Sequence, residues 1–211
     1  MTTEKHPTGR PSRAQAEAAA RILLEFLNED LARAGVQGTP ERIVRGLEDM
    51  TWGLRAKPPE LRLFEAPEAD PGQPVLVRGI EFASLCEHHL LPFWGIADLA
   101  YLPAGGKVLG LSKIPRLVHF WAARPQLQER LTFELARELG KAAVAPRDVG
   151  EEPAFLREHL DVFVRLRAQH ACMLCRGVRS GAETVTVAAC GQFRDGSMLR
   201  EQVDTQLIQT R

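Results

Sequence analysis

Cys86-Glu87-His88-His89 puts one thiol and two imidazoles into four consecutive residues, the densest run of soft metal donors in the chain. The Cys86 to His89 spacing lets both side chains reach one ion from a single tight turn, which is half of a zinc site. His170-Ala171-Cys172 supplies a second half. Residues two apart on a strand share a face, so His170 and Cys172 are expected to project together. Cys86, His89 and Cys172 would then hold Zn²⁺ and leave the fourth tetrahedral position to water, the arrangement of catalytic zinc. Cys172-Met173-Leu174-Cys175 is also a C-x-x-C, so Cys86, His89, Cys172 and Cys175 offer the alternative of a closed structural site. His88 and His170 favour the open one, because proton transfer near neutral pH uses imidazoles that a structural site does not need.

Cationic pairs stand in three places. Arg42 and Arg45 are three apart in the first turns of a helix, hence on one face. Lys113 and Arg116 repeat that spacing after Ser112, which is expected to cap a helix whose N-terminus attracts phosphate. Arg176 and Arg179 follow the second half-site directly. Each pair alone is an ordinary solvated face; converging on a metal turn, the three would suit a polyphosphate. Gln128-Glu129 is expected to be exposed at a helix end, where a carboxylate could accept two N–H bonds from a guanine edge. His119 and His159 lack ligand spacing and read as structural or surface residues, and Trp94 and Trp121 as core aromatics.

These residues need a scaffold, and apolar periodicity supplies one. Residues 1–13 read as a mobile tail, 14–74 as an N-terminal helical region and 75–211 as the catalytic domain. Helices are predicted over Ala14–Ala34, from Thr39 to about Thr51, over Ser112–Ala122 and over Pro125–Ala143, the last with Leu127, Leu131, Leu135 and Leu139 on one face. Strands are predicted over Val75–Cys86, Gly95–Leu102, Lys107–Gly110, 160–170 and Thr184–Phe193, with a terminal helix over 198–209. Residues 55–74 read as an irregular surface crossing. Strands joined by turns and helices grouped in pairs argue for an α+β fold with an antiparallel sheet. The 211 residues balance 27 Lys+Arg against 27 Asp+Glu, so no bulk positive field exists to hold nucleic acid or an acidic membrane. A polar N-terminus, and no apolar run near the ~20 residues that span a bilayer, point to a cytoplasmic protein. Four cysteines in that setting read as thiols or metal ligands, not as disulfides.

Four motifs in this order, C-E-H-H at 86–89, G-L-S-K-I-P-R at 110–116, R-P-Q-L-Q-E-R-L at 124–131 and H-A-C-M-L-C-R-G-V-R at 170–179, make the chain resemble GTP cyclohydrolase I. T-P-E-R at 39–42 fits the same family, so the resemblance runs from about residue 15 to the C-terminus. It implies a zinc enzyme that opens tetrahydrofolate or tetrahydrobiopterin biosynthesis by converting GTP and water to formate and 7,8-dihydroneopterin triphosphate. It further implies a tunnelling fold, with strands of many copies forming a barrel inside a layer of helices, assembled as a homodecamer of two pentamers with sites between subunits. By motif match Cys86, His89 and Cys172 would bind zinc, and His88 and His170 would transfer protons. Ser112, Lys113, Arg116 and Arg176 would hold ribose and triphosphate, joined by Arg42 and Arg45 of a neighbouring subunit, while Gln128 and Glu129 would read guanine. Two positions depart from the family, which commonly has Met at Cys175 and Lys at Arg45; Arg for Lys keeps the charge and changes the hydrogen-bond geometry. The competing assignments are a non-catalytic zinc-stabilised nucleotide-binding module and another tunnelling-fold enzyme of pterin or deazapurine chemistry.

Overall fold

A computed structural model describes residues 9–143 and 161–208, and the chain divides into two compact units, Met1–Thr51 and Trp52–Arg211. His159, Leu160, Gln209 and most of the expected tail lie outside the described residues. In the first unit, helix α1 (Arg13–Phe26) opens on a capping box. The Ser12 hydroxyl accepts from the Gln15 amide at 3.3 Å and the Gln15 side chain accepts from the Ser12 amide at 2.8 Å. The helix stops well short of the predicted Ala34 because Asn28 takes a φ of 59°. Asparagine tolerates that left-handed conformation, which closes a helix. Helix α2 (Thr39–Met50) begins where Pro40 predicts, with Gly38 and not Thr39 in the capping position.

The second unit is α+β. Four antiparallel strands, β2 (Val75–Cys86), β3 (Pro92–Tyr101), β6 (Val162–His170) and β7 (Thr184–Cys190), form a sheet that the two-residue β5 (Pro125–Gln126) extends in parallel beyond β2. Helices α3 (Lys113–Ala122) and α4 (Gln128–Ala143) lie on either side of β5 in the chain, and α5 (Ala171–Leu174) and α6 (Met198–Ile208) flank β7. The single helix predicted over Pro125–Ala143 is therefore a strand followed by a helix. The crossing at 55–74 also contains a strand, β1 (Leu63–Glu65), paired with β4 (Lys107–Leu109).

Period-two alternation decides which face each residue serves. Phe93, Ala97, Leu99 and Tyr101 of β3 and Val162, Val164, Leu166 and Ala168 of β6 share one core with Leu131, Leu135 and Leu139 of α4 and Ile114, Leu117 and Val118 of α3. Fully burying one such leucine contributes about 1.5–3 kcal/mol. The opposite side of the sheet carries a smaller cluster, with Ala100 and Phe163 against Phe193, Val203 and Leu207. On that side Asp98 forms an ion pair with Arg165 at 2.8 Å and accepts from the Gly79 amide at 3.0 Å. Gly79 has a φ of 75° in the bulge that shifts the β2–β3 register between Val77 and Ile80. Trp94 is not a core residue as predicted: it lies on the sheet face opposite α3 and α4 and stays 39% exposed. Among the described residues no helix is long and apolar enough to cross a membrane.

The β3–β6 pairing aligns the two ends of the site, placing Phe93 opposite His170. It depends on Gly95, where a Cβ would run into the Arg167 carbonyl and the Ala168 backbone. Gly95→Ala is expected to cost about 1–3 kcal/mol through overpacking, seen as a lower denaturant midpoint at unchanged slope. A wild-type midpoint would show that the strands have room to spare.

Candidate active site and metal centre

β2 ends on Cys86, and the chain folds back at once. The Cys86 amide donates to the Leu91 carbonyl at 2.8 Å, and the Cys86 carbonyl accepts from His89 at 3.3 Å and Leu90 at 2.8 Å. Leu90 takes a φ of 52° to close the turn. The Cys86 side chain is buried, whereas His88 and His89 are exposed. A polar clamp holds the turn from below: the Glu87 amide donates to the Gln126 carbonyl at 3.1 Å, and Arg130 bonds both the Glu87 carboxylate and Gln126 Oε1. Gln126 Nε2 in turn donates to the Trp121 carbonyl at 3.1 Å and to Glu134 at 2.8 Å.

The second half-site differs from its prediction. β6 ends at His170, so Cys172 sits not on the strand but in the one-turn α5 that follows. That turn brings its thiol to the first half-site, and donor atoms of Cys86, His89 and Cys172 all lie within 4.8 Å of one another. Tetrahedral zinc with Zn–S near 2.3 Å and Zn–N near 2.0 Å needs donors about 3.5–3.8 Å apart, which small side-chain adjustments reach. Two thiols and an imidazole are also the soft set that zinc prefers. Burial pushes the Cys172 thiol up from its ordinary value, and the neighbouring Cys86 adds to the effect. A divalent cation removes that penalty by taking both sulfurs as thiolates. Cys175 is exposed and outside this cluster. His88 Nδ1 lies 3.8 Å from the Cys86 sulfur, and Arg176 Nη1 donates to His89 Nε2 at 2.8 Å.

His170 is an even-numbered residue of β6, so it faces the helices and meets the first turn of α4. Its ring stacks on Phe93 with centroids 4.6 Å apart and planes 4° from parallel, and its Nε2 meets Gln128 Oε1 at 2.8 Å. Burial lowers its pKa from the usual imidazole value, opposed by the charge of Glu129. Gln128 was expected to be exposed beside Glu129; instead only Glu129 is, and Gln128 is 2% exposed. Successive residues on a helix point about 100° apart, so one faces the sheet while the next faces solvent.

The remaining predicted residues are placed less tightly. Ser112 is exposed just before α3 with helical backbone and makes no side-chain cap, while Lys113 and Arg116 share the first turn of that helix. No hydrogen bond among the described residues ties these three to the Cys–His cluster. Arg179 is exposed with a φ of 52°. In the first unit Arg42 and Arg45 are exposed, and Arg42 Nη2 bonds the Gly35 carbonyl at 3.0 Å and the Thr39 hydroxyl at 2.9 Å. His119 is structural as predicted, donating to the Glu81 carbonyl at 3.0 Å. Sequence reasoning missed Phe93, whose role depends on register, and Arg130, whose only local signal is its i,i+4 spacing from Gln126.

Comparison with known proteins covers almost the whole chain. The family model for GTP cyclohydrolase I matches residues 16–208. The GTP cyclohydrolase 1 of Hyperthermus butylicus is 42% identical over 191 residues, covering 90% of this chain and 89% of its own. Those of Streptococcus suis and Bacillus mycoides are each 40% identical over 190 residues, covering 90% of this chain and 94% and 93% of theirs. Among solved structures, the archaeosine synthase QueF-Like in the apo form covers 58% of this chain and 97% of its own, with a TM-score of 0.41 and 17% identity. With family model and relatives agreeing across both units, and the Cys–His cluster lying inside the matched span, this chain belongs to the GTP cyclohydrolase I family.

Proposed function

We propose that the chain is a zinc-dependent cyclohydrolase converting GTP and water to formate and 7,8-dihydroneopterin triphosphate, with Cys86, His89 and Cys172 holding the metal. The observation that carries this reading is the convergence of three soft donors from two separate elements, next to an imidazole held rigidly between Phe93 and Gln128. When bound, zinc lowers the pKa of water from about 16 to about 7 and so makes a nucleophile available at neutral pH. Turnover requires two hydrolyses at C8 of guanine, the first opening the imidazole ring and the second releasing formate. The ribose carbons then rearrange and close onto the freed amine.

His170 gives a proton to the ring nitrogen beside C8 as water adds there, and His88, at the mouth of the turn, carries protons to and from solvent. Glu129 accepts the two N–H groups of the guanine edge, for which adenine would present a lone pair. Ser112, Lys113, Arg116 and Arg176 bind ribose and triphosphate, with Arg42 and Arg45 contributed by a neighbouring subunit. A neutral imidazole has one lone pair, so His89 cannot ligate a metal and accept from Arg176 at once. Metal loading therefore frees the Arg176 guanidinium for phosphate.

The site is completed in a homodecamer of two pentamers whose sheets join into a tunnelling-fold barrel. Two observations support assembly. Among the described residues β7 pairs on one side only, with Val185 and Val187 exposed, and an open apolar edge strand calls for a partner. Ile22, Leu23 and Phe26 of α1, with Leu27 at its end, add an exposed apolar face in the first unit.

Three outcomes test this reading. Cys172→Ser is expected to abolish zinc binding and formate release together; full turnover by metal-free protein would refute the ligand assignment. Cys175→Met is expected to leave zinc content and kcat unchanged, whereas metal loss would establish the closed four-ligand site. Glu129→Gln is expected to lower kcat/KM for GTP by about 10- to 100-fold, the 1.5–3 kcal/mol of a charged hydrogen bond, with zinc content intact. An unchanged kcat/KM would remove Glu129 from guanine recognition.

A further inference from the structure

The atoms around Gln128 leave its buried amide a single orientation. Its nitrogen faces the carbonyl oxygens of Leu166 at 3.3 Å and Thr184 at 3.0 Å, and carbonyls only accept. A flipped amide would set oxygen against both. The third neighbour, the Thr186 hydroxyl at 3.1 Å, is fixed as well. Thr132 donates its proton to the backbone carbonyl of Gln128 at 2.8 Å, so across the 2.7 Å hydroxyl pair Thr186 is the donor and Thr132 the acceptor. Thr186 is thus left to accept from Gln128. All three neighbours of the Gln128 nitrogen can only accept from it, so its two hydrogens are shared among them, and the remaining atom, Gln128 Oε1, points at His170 Nε2 at 2.8 Å. An amide oxygen cannot donate, so Nε2 carries the hydrogen. The opposite tautomer would put two lone pairs face to face in a buried pocket, where unmade hydrogen bonds are costly.

We propose that Gln128 is a positioning residue that holds His170 as its Nε2–H tautomer, making Nδ1 the nitrogen that exchanges a proton with the substrate. Phe93 fixes the plane of the ring, and Gln128 fixes which end of it is basic. The protonated ring keeps its Nε2–H on Gln128 and donates through Nδ1; after transfer the neutral ring is already in the tautomer that can take the next proton at the same atom. The substrate in this scheme is that of the cyclohydrolase reading, on which the catalytic consequence rests. The tautomer itself does not depend on it.

The test is nitrogen NMR of zinc-loaded protein labelled with 15N-histidine, near pH 8 where an ordinary imidazole is neutral. The His170 signals are assigned by their loss in His170→Asn. In the native protein the hydrogen is expected on Nε2, with Nδ1 at the shift of a bare ring nitrogen. In Gln128→Met both tautomers are expected, with kcat for GTP down about 10- to 100-fold, by analogy with loss of the partner that orients a metal-ligating imidazole, and KM little changed. Hydrogen on Nδ1 in the native protein would overturn the proposal, and that measurement needs no variant to fold. So would a Gln128→Met protein whose KM rises while kcat and the tautomer stay put, which would make Gln128 a substrate-binding residue. If the native protein released no formate from GTP, the cyclohydrolase reading would fail while the tautomer result stood.

Discussion

Two sulfurs and an imidazole nitrogen brought within 4.8 Å of one another form an arrangement that protein alone does not favour. Ionising one thiol makes the second harder to ionise, and burial raises the cost of either charge. The chain nevertheless imposes this crowding, through a tight turn on one side and a single helical turn on the other. It also braces the turn with Glu87, Gln126 and Arg130, whose hydrogen bonds restrict its freedom to relax. Donors gathered this closely are compatible with a metal site, and the rest of the pocket is arranged around that position.

The sheet does the second part of the work. Pairing between β3 and β6 sets His170 on Phe93, and the alternation of β6 turns the same ring toward α4. The core leucines of α4 seat its first turn against the sheet, so that Gln128 is buried and Glu129 is left in solvent. One residue therefore meets the His170 imidazole while its neighbour is left open to solvent. A division of roles between adjacent polar residues follows from helix geometry and needs no special backbone.

The two halves of the Cys–His cluster were legible in the sequence because ligand chemistry narrows the choice to a few residue types at short spacing. Strands β6 and β7 were legible too, since alternation in Leu166–Ala168 and Val185–Val187 is a local signal. Boundaries were not: Asn28 ended α1 early by adopting a conformation that no apolar period reveals. Pro125–Gln126 became a strand because a partner edge at Leu85–Cys86 was waiting for it. The burial of Gln128 and the stacking of Phe93 depend on register between segments far apart in the chain, information that exists only after folding. Trp94 failed for the same reason, since its neighbour Gly95 fixes the closeness of the strands but not which side the indole takes.

X-ray absorption at the zinc edge of the loaded protein bears most directly on the central claim. The account predicts a four-coordinate ion with two sulfur and two light-atom neighbours, one of the latter an imidazole nitrogen. Three sulfur neighbours would bring Cys175 into the shell, close the site and contradict it.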